Sequence, residues 1–243
     1  YLNSKIAHYS IVNWFNISIK AMTQKLFSII AILFLALTGN MFTANAQSEA
    51  NDPEAKTVLE NVQKKYKSLK TFKADFTLTM VNTDTKLNES QKGKIYVKGN
   101  KYRVETPEFE RISDNVFIWT HYKQEKEVQI TDVDPTAGEL SPAQLFNFKL
   151  KDFKYVMRNG PGSSSSSTTD VDLSPLKNNS QYYKIRLTIN TKNNTIAKAT
   201  IFERNGNRFN YELSNLQADL PLDDKFFGFD KSKYPGVEVV DLR

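Results

Sequence analysis

The chain has 243 residues, of which 40% are hydrophobic and 25% charged, with a formal net charge of +6 and no cysteine. The absence of cysteine excludes disulfides, thiol nucleophiles and thiolate metal sites. Positive and negative residues are interspersed rather than clustered, which argues against a nucleic-acid partner.

A leader pattern begins at Met22. Lys25 precedes a twelve-residue apolar run, Leu26 to Leu37, and the small residues Ala44-Asn45-Ala46 follow. This order is typical of a secretory signal peptide, here residues 22–46, cleaved after Ala46. The alternative, a membrane anchor, needs about 20 apolar residues. We interpret residues 1–21 as a start-site artefact.

The predicted mature chain is 47–243, a length that suits a single domain. Residues 1–46 hold three lysines and no acidic residue, so its net charge is +3. No cysteine stands at the cleavage point for acylation, and we therefore expect an exported, soluble protein of the periplasm.

The mature chain opens with a helix signal. Asp52 can cap a helix and Pro53 suits its first position. Apolar residues then recur every three or four positions, which predicts an amphipathic helix from Pro53 to Leu69. These are Val58, Leu59, Val62, Tyr66 and Leu69.

Strand patterns fill most of the remaining sequence. "FKADFTLTM", residues 72–80, alternates apolar and polar side chains with a period of two, which indicates a strand with one dry face. Similar segments predict an antiparallel meander of about six strands between residues 72 and 133. They are "GKIYVKG", "NKYRVET", "FERIS", "NVFIWTHY" and "KEVQITDVD".

The second half resumes the pattern after a break. Ser141 and Pro142 predict a short helix, and "FKYVM" another strand. We interpret residues 159–170, which lack apolar side chains, as a mobile surface loop, and Lys225 to Phe229 as an edge patch. The later predicted strands are "VDLSPL", "YYKIRLTIN", "TIAKATIFE", "RFNYELSN" and "VEVVDL".

Together these elements predict a mainly β fold with some α structure. We expect an incomplete antiparallel β-barrel, formed by a curved sheet and covered by the N-terminal helix and short lid helices.

Catalytic signals are missing from the predicted mature chain. It holds one histidine, His121, outside any recognisable motif, and no nucleophile elbow, P-loop or zinc-protease motif. The pair Asp223-Asp224 fits capping and solvation better than acid–base chemistry. We therefore predict no enzymatic activity, no cofactor and no metal site.

The apolar strand faces allow two interpretations, a solid core or the wall of a hydrophobic cavity. The pattern alone favours a core, although a wide or incomplete barrel can leave a cavity. The candidates for acyl-chain contact are Phe72, Phe76, Leu78, Met80, Ile95, Val97, Tyr102, Val104, Phe117, Trp119, Val128, Ile130, Leu145 and Phe146.

Three segments, in this order, carry a resemblance: "TFKADFTLTM", "GKIYVKGNKYRVET" and "ISDNVFIWTHYKQEKEVQITDVD". The block from Ala199 to Arg243 continues it. In these segments the chain resembles the periplasmic outer-membrane lipoprotein carriers, the LolA-like family.

The resemblance implies an incomplete barrel with a helical lid over a hydrophobic cavity. It implies a carrier that accepts acylated lipoproteins from an inner-membrane ABC transporter and delivers them to an outer-membrane acceptor, without covalent chemistry. Within the same fold, a carrier or sensor of other lipids is an alternative. An exported scaffold domain with a solid core is another.

Two positions matter to this comparison. The family has an arginine after the second-strand motif that holds the lid closed, whereas Gly99 follows "YVK" here and Arg103 comes later, on the outward face with Lys101 and Glu105. The family's transporter-contacting aromatic corresponds to Tyr102.

Overall fold

The structure is a computed structural model that describes residues 51–82, 84–158 and 167–243. The predicted leader, the segment before it and most of the serine-rich stretch lie outside the described residues. In the part of the chain that is described, no helix is long and apolar enough to cross a membrane.

Helix α1, Pro53–Lys67, begins as the sequence predicts and ends two residues before Leu69. The Asp52 Oδ1 atom accepts hydrogen bonds from the backbone N–H groups of Glu54 and Ala55, at 2.8 and 3.2 Å. This cap satisfies donors that have no partner within the first helical turn. The apolar stripe is buried and comprises Ala55, Leu59, Val62 and Tyr66.

Twelve strands form one sheet in the order β12-β6-β5-β4-β3-β2-β1-β11-β10-β9-β8-β7. The predicted fold class, a mainly β curved open sheet with an N-terminal helix, is confirmed. The strands are β1 Phe72–Asn82, β2 Leu87–Lys98, β3 Lys101–Glu105, β4 Phe109–Ser113, β5 Phe117–Tyr122, β6 Glu127–Asp132, β7 Phe153–Met157, β8 Thr168–Pro175, β9 Tyr182–Asn190, β10 Thr195–Glu203, β11 Arg208–Ala218 and β12 Glu238–Asp241.

Three details differ from the sequence prediction. Strand β12 pairs with β6 in parallel, because the chain reaches it by crossing the sheet rather than by a hairpin. Strand β2 starts at Leu87, six residues before the predicted segment "GKIYVKG" that begins at Gly93. Strand β8 starts at Thr168, where a loop was predicted, and pairs with β9. Backbone pairing therefore overrides the local polar composition at both starts.

The strand register divides the side chains of the sheet between two faces. Residues that are directly paired share a face, so one row runs across seven strands through Glu89, Met80, Phe209, Ile201, Ile185, Leu173 and Tyr155. We call this side the helix face, because α1 contacts β7 and β10 there. The opposite side is the tail face.

The tail, residues 219–243, covers the tail face of β2 to β6. Phe226 lies against Tyr96, with ring centroids 5.0 Å apart, and Tyr234 lies against His121 at the same separation. Phe227 is 0% exposed. The predicted edge patch at Lys225 to Phe229 is therefore wrong: this segment packs on the sheet, since its aromatic side chains bury more area there than at an edge.

Candidate functional site

Eight of the predicted residues share the helix face of β1, β2 and β3. In β1 the dry face follows the alternation expected from "FKADFTLTM". Residues of this face pair with Ile95 and Val97 of β2. These two residues pair in turn with Val104 and Tyr102 of β3. Seven of the eight are buried, and Leu78 is partly exposed. The eight are Phe72, Phe76, Leu78, Met80, Ile95, Val97, Tyr102 and Val104.

An aromatic cluster joins this wall to its cover. The ring centroids of Phe72 and Phe146 are 4.9 Å apart, and each lies within 5.3 Å of the Tyr66 ring of α1. The Tyr66 hydroxyl accepts a hydrogen bond from the Ile196 N–H at 3.2 Å. Burial raises the pKa of Tyr66 to about 12, so the phenol stays neutral. Leu145, also predicted, is buried in the same segment as Phe146.

Four of the predicted residues do not join this wall. Ile130 pairs with Trp119, Trp119 with Ile112 and Ile112 with Arg103, a row that belongs to the tail face. Phe117 shares that face under the Arg243 guanidinium, and Val128 is 0% exposed beside Val239 of β12. Because the tail covers one face of β4 to β6, apolar side chains can be buried on both faces of these strands. Strand alternation therefore did not reveal which of the two is the helix face.

The second half of the helix face was missed. Phe209 pairs with Met80 and Tyr211 with Leu78, and from there the face continues through β10 to β7. The alternation in "YYKIRLTIN" and "TIAKATIFE" carried this signal, but only the first strands entered the predicted set. The buried apolar residues there include Tyr155, Val171, Leu173, Ile185, Leu187, Ile189, Ile201 and Phe209.

The helix face changes from apolar to polar at β4. Arg111, 4% exposed, pairs with Val104 on one side and Thr120 on the other. Its Nε atom donates to the Tyr102 hydroxyl at 3.3 Å. Burial raises the pKa of the Glu139 carboxyl, while the positive charge of Arg111 opposes that rise. The interior therefore combines an apolar wall with a charged region beside it.

The lid, residues 134–149, crosses the helix face between β6 and β7. Its short 3-10 helix, Pro142–Leu145, is held by a capping box between Ser141 and Gln144, as Ser141-Pro142 suggested. The Gln63 side chain of α1 donates to the Phe148 carbonyl at 2.6 Å. The Asn147 side-chain amide donates to the carbonyl of Gly99. Gly99 thus contacts the lid through its backbone, where the family has an arginine side chain.

The resemblance singled out two positions, Tyr102 and Arg103. Tyr102 is 2% exposed on the helix face, so its side chain does not lie on the surface here, and its contact with a transporter stays a prediction. The Arg103 Nε atom donates to Glu110 at 2.6 Å, and its terminal nitrogens donate to the Phe226 carbonyl at 2.9 Å and the Tyr234 hydroxyl at 3.1 Å. Arg103 therefore holds the tail rather than the lid.

The histidine lies away from the helix face. His121 stands on the tail face, against the Tyr234 ring. Burial lowers its pKa, with the nearby charge of Glu110 opposing that change. It has no place in a site on the helix face.

The fold and this site define a β-sheet protein with an apolar wall beneath helical cover. Residues 67–230 match the family described as "Outer membrane lipoprotein carrier protein LolA". The match spans more than half of the chain, which therefore belongs to this family. A search of curated protein sequences gave no match.

Several solved structures are similar to the chain. An uncharacterized conserved protein from Thermus thermophilus has a TM-score of 0.49 and 9% identity, over 77% of this chain and 99% of that one. A LolA superfamily protein from Nitrosomonas europaea has 0.44 and 14%, over 72% and 97%. A DUF1329 family protein from Desulfovibrio piger has 0.45 and 11%, over 76% and 100%.

Proposed function

We propose that this protein is a periplasmic carrier that shelters the acyl chains of lipoproteins against the helix face and transfers them from the inner to the outer membrane. The observation that supports the proposal is the continuous apolar wall from β3 through β1 to β7, covered by α1 and the lid, in a member of the lipoprotein carrier family. The leader would direct export, with cleavage after Ala46.

The physical need for such a wall is large. Burial of an acyl chain is worth about 0.8 kcal/mol per methylene, so a chain of about sixteen carbons cannot cross water unprotected. The cover must open to accept and release the chain. The polar bonds that join the lid to its surroundings, from Asn147 to Gly99 and from Gln63 to Phe148, contribute about 1 kcal/mol each and therefore do not prevent such opening.

The partners in this proposal are acylated lipoproteins, an inner-membrane ABC transporter of the lipoprotein-sorting type and an outer-membrane acceptor. The carrier itself makes and breaks no covalent bond. Sheltering and release by burial need no cofactor and no metal.

The test expresses the full chain in a bacterium with two membranes and identifies by mass spectrometry what co-purifies from the periplasm. Phe76→Glu places a carboxylate on the helix face, while the control Thr77→Glu places one on the other face of β1. We expect triacylated lipoproteins on the unmodified protein and on Thr77→Glu, and their loss from Phe76→Glu.

Other outcomes would contradict the proposal. Free lipids alone would indicate a carrier or sensor of other lipids, and no bound lipid would indicate a scaffold. Phe76→Ala adds a folding measurement: in a solid core it costs about 3–5 kcal/mol, whereas beside a cavity the loss is much smaller.

A further inference from the structure

Strand β2 extends beyond its neighbour β3. Leu87 to Val97 of β2 pair with β1, but only Lys94 to Lys98 pair with β3. On the β3 side of residues 87–92, no described strand is paired. This stretch, which we call the β2 edge, is a template to which an extended chain can add.

The direction of the backbone groups at the β2 edge follows from the adjoining hairpin. A two-residue turn at Gly99 and Asn100 joins Lys98 to Lys101, and such a turn closes on a pair that exchanges both hydrogen bonds. Counting back by twos, Asn88, Ser90 and Lys92 direct their backbone N–H and C=O groups to the open side. The intervening residues direct theirs to β1.

Two inward side chains mark the same stretch. Glu89 and Gln91 lie on the helix face, opposite Met80 and Leu78 of β1. Glu89 Oε2 and Gln91 Oε1 are buried and accept no hydrogen bond from any described residue, while the Gln91 amide nitrogen donates to Glu108. Buried acceptors without a donor are costly, so both atoms point to a donor-bearing occupant.

The sheet edge at β7, in contrast to the β2 edge, is covered by side chains. There the Asn51 and Asp52 side chains accept hydrogen bonds from the N–H groups of Tyr155 and Met157, at 3.1 and 3.0 Å, and the Asp52 N–H donates to the Tyr155 carbonyl. Asn51 and Asp52 therefore cover that edge. The β2 edge has no such cover from the described residues.

We propose that the β2 edge binds, as an added strand, the extended polypeptide segment that adjoins the acylated residue of the cargo. The inference rests on the proposed function. The edge is continuous with the apolar wall through Leu78 and Met80, so a peptide leaving a bound acyl chain meets it directly. Inward donor side chains such as lysine or asparagine suit Glu89 and Gln91.

A second copy of this chain is a poorer occupant. Lys92 lies on the β2 edge and Lys86 and Lys94 flank it, and all three are exposed. Like charges at a strand edge oppose pairing of two identical edges. A foreign peptide with acidic or hydroxyl side chains on its outward face meets no such repulsion.

The test compares two probes on the full-length protein. One is the methyl ester of N-palmitoyl-S-(dipalmitoylglyceryl)cysteine, and the other is the peptide Cys-Ser-Asn-Ser-Lys-Asp with the same three palmitoyl chains on its cysteine. We expect the peptide probe to bind at least about tenfold more tightly, since a few net backbone hydrogen bonds reach that ratio. Ser90→Pro removes an edge N–H without touching the β1 pairing, and should abolish this difference while leaving the methyl ester affinity unchanged. Ser90→Ala, which keeps the N–H, should bind like the unmodified protein.

Amide hydrogen exchange gives a readout that does not depend on a variant. In the free protein, Asn88, Ser90 and Lys92 should exchange fast while Glu89 and Gln91 are protected by β1. The peptide probe should slow the first three and the methyl ester should not. Equal affinities for the two probes, or protection of the edge by self-association at high protein concentration, would overturn the inference and leave the proposed function standing. Failure of both probes to bind would instead overturn the proposed function.

Discussion

At the scale of single residues, close approach between neighbouring strands selects the side chain. Gly93 pairs with Phe76, and the Phe76 ring lies so close that a Cβ atom on Gly93 would collide with it and with the Glu105 carbonyl. A glycine inside a strand normally weakens it. Here it makes room for the aromatic ring on the helix face.

Gly93→Val is accordingly expected to destabilise the protein by about 1–3 kcal/mol, because overpacking forces Phe76 out of its position. Thermal or urea denaturation measures the loss. The control Lys92→Val changes an exposed neighbour in the same strand and should have little effect. A Gly93→Val protein as stable as the unmodified one would contradict the packing argument.

Asp52 performs two tasks with its two carboxylate oxygens, the cap of α1 and the bond to Met157 of β7. Asp52→Ser keeps a capping oxygen and loses the strand bond, at a cost of about 1 kcal/mol. Asp52→Ala loses both, at about 2 kcal/mol. Chemical denaturation of the two variants at neutral pH should show this order, and equal losses would mean that only one contact matters.

The same residue predicts a pH dependence. The backbone bond from Met157, together with those from Ala55 and Glu54, holds the pKa of Asp52 below its usual value. Its stabilisation is therefore complete above the unfolded pKa and is lost as the pH falls through the lower folded value. The stability difference between the unmodified protein and Asp52→Ser should shrink over that acidic range, and a constant difference would contradict the assignment.

At the scale of elements, the two coverings of the sheet are attached in different ways. The lid is joined to the turn after β2 by a bond from Asn147, to α1 by a bond from Gln63, and to α1 and β1 by the uncharged Phe146 ring. The tail is joined to the opposite face by a charged network around Arg103 and Glu110, with Tyr234 donating to Glu110. A cover that must move fits the first arrangement, and a permanent one fits the second.

For the lid, Asn147→Leu should speed release of a bound fluorescent fatty acid several-fold, since loss of about 1 kcal/mol corresponds to about a fivefold change. The thermal midpoint should change little. Asn178→Leu, in an exposed loop, is the control. Unchanged release by Asn147→Leu would show that the bond to Gly99 does not hold the lid.

For the tail, Arg103→Met should cost about 3–5 kcal/mol, because it leaves the buried Glu110 carboxylate without its cation. The control is Lys101→Met, which removes a positive charge from the same strand and face. Lys101 pairs with Asp224, whose side chain is 65% exposed, and its loss should cost at most about 1 kcal/mol. Urea denaturation separates the two, and similar losses would contradict a central role for Arg103.

At the scale of the whole molecule, the sheet separates two covered faces. One face carries the apolar wall under α1 and the lid, and the other is closed over β2 to β6 by the tail, which ends as a parallel strand on β6. A ligand on the helix face is thus separated from the tail contacts by the sheet itself. The polar region around Arg111 gives that face an amphipathic character.

Export is the prediction at this scale. The protein isolated from the periplasm should begin at Gln47, since the Ala44-Asn45-Ala46 site favours cleavage there. Intact-mass measurement of the purified protein checks this. A chain that begins at residue 1 or 22 would remove the basis for a periplasmic carrier.

The sequence by itself determined the local elements. Capping chemistry located α1 at Asp52 and Pro53, and alternation located strands such as Tyr182–Asn190 and Thr195–Glu203 with their observed bounds. The apolar face of β1 was also readable in advance. Each of these features depends on residues a few positions apart, whose spacing is written in the chain.

Only the tertiary structure decided which strand faces meet. Ile130 alternates with polar neighbours as clearly as Phe76 does, yet register places it on the tail face, together with Trp119. The roles of Arg103 and Tyr102 likewise depend on which segment covers each face, and the β2 edge depends on the shorter length of β3. These outcomes arise from contacts between residues far apart in sequence, because shifting a strand by one residue reverses its faces without changing its own pattern.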